Sequence, residues 1–84
     1  MSRLDLPDEP MPTQTLVEIL GFDRVLIEQH CGINQYSDGC IGVKVKKGQI
    51  LVHGCSLRLM LMTKDQVIIS GNIQSVQLER VTRG

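Results

Sequence analysis

Two opposed switches of hydrophobic phase in the last third of the chain leave little freedom in how it folds. Ile50 and Val52 put their apolar side chains on even positions, but beyond Gly54 the apolar positions are odd, at Leu57, Leu59 and Leu61. Side chains alternate faces along a strand, so a flat strand cannot turn both sets toward one core. The next segment runs odd at Val67, Ile69 and Ile73 and then even at Val76 and Leu78, the reverse order. With Thr63-Lys64-Asp65 as a three-residue turn, Leu61 pairs with Val67, Leu59 with Ile69, Val52 with Val76 and Ile50 with Leu78. The pattern predicts one long antiparallel ribbon, bent near Gly54 and Gly71, whose two halves present opposite faces inward. A compact β-sandwich or partial barrel follows.

The rest of the chain agrees with an all-β fold. Strand-length apolar runs alternate with glycine and polar punctuation, and no stretch keeps a helical spacing. Strands are expected at Thr15 to Leu20, Arg24 to His30, Ile33 to Tyr36, Cys40 to Lys46, Gln49 to His53, Ser56 to Met62, Gln66 to Ser70 and Asn72 to Arg80. Asp38-Gly39 is a two-residue hairpin signal that sets Tyr36 opposite Ile41. All three prolines (Pro7, Pro10, Pro12) fall within residues 1–12, which read as a flexible N-terminal arm before a single β domain over 13–84. A rival reading starts from Gln49-Ile50-Leu51-Val52-His53-Gly54, which returns 17 residues later as Gln66-Val67-Ile68-Ile69-Ser70-Gly71. Such a period also fits a short β-solenoid, although two copies are fewer than a solenoid needs.

Charge and composition bear on partners. Nine basic residues balance nine acidic ones, so no net field gathers polyanions. Only Phe22 and Tyr36 are aromatic, too few for a base-stacking platform, and no nucleic-acid partner is expected. No apolar run resembles a secretory signal or reaches the roughly 20 residues of a membrane span, so a cytoplasmic protein is expected. Cys31, Cys40 and Cys55 are odd in number and irregular in spacing, which predicts free thiols in a reducing compartment.

The reactive side chains are not spaced for catalysis. A cysteine nucleophile needs a base within hydrogen-bond reach, but His30 and Cys31 are neighbours and point to opposite faces of a strand. His53 and Cys55 could share a face were the chain not bent at Gly54. Zinc would need four converging ligands, usually drawn from close pairs, and none is present, so no metal is expected. Glu18, Glu28 and Glu79 lie on separate strands, and Asp23, Asp38 and Asp65 sit where turns favour aspartate. Neither the dinucleotide fingerprint nor the P-loop spacing occurs, and no cofactor is expected. The chain reads as a non-enzyme. Lys44, Lys46 and Lys47 are read as charges that discourage edge pairing rather than as a contact to an anionic surface. If Leu57, Leu59 and Leu61 face the core, Met60 and Met62 lie outside beside Ile68, where methionines form an adaptable contact surface or are covered by the chain's own arm.

The order of motifs resembles the YabP/YqfC family of sporulation proteins of endospore-forming bacteria, and its YqfC branch more closely. The likeness is carried by Leu6-Pro7, by Gly21 before a strand ending Ile27-Glu28-Gln29-His30, and by Gly32-Ile33 leading to Tyr36. It continues in Gly48-Gln49-Ile50-Leu51-Val52-His53-Gly54 with Leu57, and in Ile69-Ser70-Gly71-Asn72-Ile73-Gln74-Ser75-Val76. Gln29 departs from a frequent asparagine. The resemblance implies an immunoglobulin-like sandwich and a role in spore development in the mother cell, with neither catalysis nor cofactor. Glu28, His30 and Tyr36 map onto the family's recurrent polar motif as a binding surface; their structural reading is a carboxylate and an imidazole bonded to each other or to a strand end. The expected role is an interaction or assembly module, through self-association or docking on another sporulation protein at the forespore membrane. A small cytosolic ligand-binding or nucleic-acid-binding β-barrel is the alternative.

Overall fold

The computed structural model describes residues 15–80, so the arm expected over 1–12 lies outside the described residues. Six strands follow in order: β1 (Leu16–Leu20), β2 (Arg24–Glu28), β3 (His30–Tyr36), β4 (Cys40–Val45), β5 (Gly48–Met62) and β6 (Gln66–Arg80). They form one continuous antiparallel sheet in the order β1-β2-β6-β5-β4-β3. The fold is all-β, as the strand-length runs require. The six strands are one open sheet, and an immunoglobulin-type pair of separate sheets is not what the strand order displays. The solenoid alternative is overturned, because β5 and β6 run antiparallel and Leu51 lies opposite Gln77 rather than stacked on Ile68.

The long ribbon is β5 with β6, and its bend is the source of the phase switches. Between Cys55 and Arg58 the strand β5 carries one residue more than its partner, while between His53 and Gly54 the extra residue, Gln74, belongs to β6. One bulged residue reverses which parity faces inward. Ile50 and Val52 are therefore fully buried ahead of the bend, and Leu57 is buried beyond it. Ser56 takes a left-handed φ of 55° at the β5 bulge, and Gly71 has φ 137° in β6. The halves cross closely here: a Cβ on Gly54 would collide with the backbone carbonyl of Asn72, and one on Gly71 would lie 2.6 Å from the carbonyl of Ser56.

On one side of the bend, β3, β4, the start of β5 and the end of β6 make up one half of the sheet; on the other, β1, β2, the start of β6 and the end of β5 make up the second. Val25, Ile27, Val67 and Ile69 from the second half and Ile41, Val43, Ile50 and Val52 from the first, all fully buried, join Leu57 and Ile73 in one core. The 17-residue repeat thus becomes a pseudo-twofold relation. Gly54 N–H donates to the Gly39 carbonyl and Leu57 N–H to that of Asp38, while Gly71 N–H donates to Asp23 and Ile73 N–H to Phe22. Each hairpin loop hands two carbonyls to the bend of its ribbon strand.

Several details differ from expectation. The strand expected from Arg24 to His30 breaks at Gln29, whose φ of 64° and N–H bond to the Asp65 carbonyl end β2 and start β3 at His30. The turn expected over Thr63–Asp65 has two loop residues, Lys64 and Asp65: Thr63 N–H donates to the Gln66 carbonyl, and Gln66 N–H returns to Thr63 Oγ1. Tightening the turn by one residue slips the register, so Met62, not Leu61, lies opposite Val67, and a bulge at Met60 restores Leu59 opposite Ile69. The other two pairings, Val52 with Val76 and Ile50 with Leu78, occur as expected. Asp38-Gly39 forms its hairpin, with Tyr36 opposite Ile41. The lysines do not guard an edge: Lys44 sits on β4 between β3 and β5, and Lys46 and Lys47 form the β4–β5 loop.

Candidate interaction surface

His30 is fully engaged. The Gly32 N–H donates to its Nδ1 at 3.0 Å, which places the ring proton on Nε2, and Nε2 donates to the Thr63 carbonyl at 2.7 Å. Glu28, two residues back across the Gln29 corner, accepts from Gln66 Nε2 at 2.9 Å. With the bond from Gln29 N–H to Asp65, three consecutive residues of the β2–β3 corner clamp the β5–β6 hairpin end. Glu28 and His30 do not bond each other; both reach a strand end, the structural reading offered for them. Thr63 and Gln66, which complete this clamp, read from the sequence as a turn residue and a strand start, not as candidate site residues.

Tyr36 stands apart from this corner at the far end of β3. Its ring is 58% exposed and lies on the core-facing side, opposite Ile41, with Oη accepting the Leu59 N–H at 3.4 Å. The structure therefore separates the polar trio into a Glu28–His30 pair and an isolated tyrosine.

Met60 and Met62 are exposed by 52% and 47%, but their geometry differs from expectation. The register slip puts Leu61, 41% exposed, on the outer face opposite Ile68, leaves Met60 as the bulged residue, and turns Met62 to the core-facing side opposite Val67. They lie on the last part of β5, where β6 is paired on one side and β4, which ends its pairing at His53, no longer covers the other.

Cys40 lies opposite His53 across β4 and β5, and Cys55 sits at the bend with Gln74 Nε2 3.9 Å from its sulfur. All three cysteines are free. Among the described residues no three histidine, cysteine or acidic side chains converge as a metal site.

The family model described as the YabP family matches residues 12–84. The chain belongs to the YabP family. Membership carries the association with sporulation that the motif order implied. No curated protein and no solved structure matched. Among the described residues no helix is long and apolar enough to cross a membrane.

Proposed function

We propose that this YabP-family chain is a non-catalytic interaction and assembly module of spore development, working in the mother-cell cytoplasm by holding sporulation proteins together, itself included. The observation that supports this reading is the run Met60-Leu61-Met62, three consecutive large apolar side chains that stay exposed on the open edge of β5. Exposed contiguous apolar surface on a small domain marks a contact site, and methionines adapt their shape to a partner. The polar candidates Glu28 and His30 are taken up by the fold's own corner, which leaves the apolar run as the stronger binding feature.

Deletion of the gene is expected to lower spore yield. Complementation with Met60→Lys combined with Met62→Lys should fail, while the purified variant keeps the circular dichroism spectrum of the wild type. Full spore yield after deletion would sink the reading.

A further inference from the structure

The pseudo-twofold relation supplies an internal control for surface chemistry. Equivalent positions on the two halves share a backbone, so residues that differ between them are not demanded by it. In the first half the middle row of the outer face reads Gln35, Gly42, Leu51, Gln77 across β3, β4, β5 and β6. In the second half the equivalent row across β1, β2, β6 and β5 reads Glu18, Leu26, Ile68, Leu61. The first half also carries a polar ladder, with Asn34 donating to Gln49 and Gln49 donating to Glu79. The second half is aliphatic at its centre and at both ends of β1, where Leu16 and Leu20 share the same outer side. The centre of that half is thus apolar on both faces, the pattern of a sheet covered on both sides.

The charges on this face are segregated. Arg24 and Arg58 both lie opposite Ser70 and so line one end of the face, while Glu28 stands between Leu16 and Gln66 at the other. We propose that the outer face of β1, β2, the start of β6 and the end of β5 is the interface for a second copy of this chain. This rests on the assembly role above and names its surface and first partner. A twofold axis lying in the face and crossing the strands superposes Leu26 on Leu26 and Ile68 on Ile68, sets Leu20 against Leu16, and brings Arg24 of each copy to Glu28 of the other. Such reciprocity is what an isologous dimer requires. Glu18, on the edge strand, falls at the solvated rim. Four strands about 4.8 Å apart and five residues at about 3.4 Å give a plan area of roughly 330 Å² per copy, and side-chain relief raises the accessible area to roughly twice that. Two copies together reach about 1,300 Å², at the low end of stable interfaces.

The test is sedimentation equilibrium of the full chain with charge reversals. The wild type should be dimeric, and Arg24→Glu or Glu28→Arg alone should weaken the dimer by about tenfold or more by setting like charges together. The double reversal should restore it. Leu61→Gln, which copies the exposed Gln77 of the other half, should also weaken it with circular dichroism unchanged. A monomeric wild type, whatever else the face binds, a dimer indifferent to Arg24→Glu and Leu61→Gln, or single reversals that the double does not rescue would each overturn the proposal. Spore yield is read separately, so a monomeric wild type whose gene deletion still lowers spore yield would overturn this interface and leave the family role standing.

Discussion

The imidazole of His30 illustrates how a residue that looks functional in sequence is claimed by the fold. With Nδ1 held locally by the Gly32 N–H and Nε2 bonded to Thr63 across a sequence separation of 33 residues, it fastens the β2–β3 corner to the β5–β6 hairpin. His30→Ala is expected to cost about 1–2 kcal/mol in urea unfolding, two net hydrogen bonds at a partly exposed site. Tyr36→Phe should cost less than about 0.5 kcal/mol, because the bond it removes is long and its ring is largely exposed. Polarity and position made both residues visible as candidates. What they bond to was not visible, since Thr63 and Leu59 come near only after the ribbon has bent and the corner has turned.

Between residues and the whole sheet, the bulges govern which side of each strand is wet. At Gly54 β5 passes close to β6, and the obstacle to a side chain there is a rigid backbone carbonyl. Gly54→Ala should therefore destabilise by about 3 kcal/mol, at the upper end for overpacking. Gly39→Ala should be nearly neutral, since its Cβ would meet only the Gly54 carbonyl at an ordinary 3.8 Å. Equal unfolding midpoints for the two variants would show that the crossing is looser than described. The bend was legible because it reverses hydrophobic parity on two strands in opposite order. The third bulge, at Met60, was not, since Met60, Leu61 and Met62 are all apolar and no alternation marks where the extra residue sits. A one-residue change in the Thr63 turn moved Met62 to the core side and Leu61 outward.

For the molecule as a whole, the ten core residues form one cluster drawn from both halves, so the halves stabilise each other and unfolding should be a single cooperative step. Val52→Asp puts an unpaired charge at the centre of that cluster and should abolish folding, as judged by loss of the native circular dichroism spectrum, because the penalty rivals the entire stability of a small domain. Lys46→Asp, in the exposed β4–β5 loop, should leave the unfolding midpoint within about 0.5 kcal/mol.

The all-β class, the bent ribbon and the inward faces of Ile50, Val52, Val67 and Ile69 were determined by the sequence alone, because burial enforces a parity that can be read along a strand without knowing its neighbours. Strand order and the outer faces were decided by tertiary structure. Whether Leu26, Ile68 and Leu61 form one row depends on which strands become neighbours and on a slip of one residue, and both depend on contacts between distant segments. The same physics turned an apparent stacking repeat into a pseudo-twofold pair: Gln49 to Gly54 and Gln66 to Gly71 are alike because each ends on a glycine pressed against the backbone of the opposite ribbon strand, and only the antiparallel pairing of β5 with β6 reveals it.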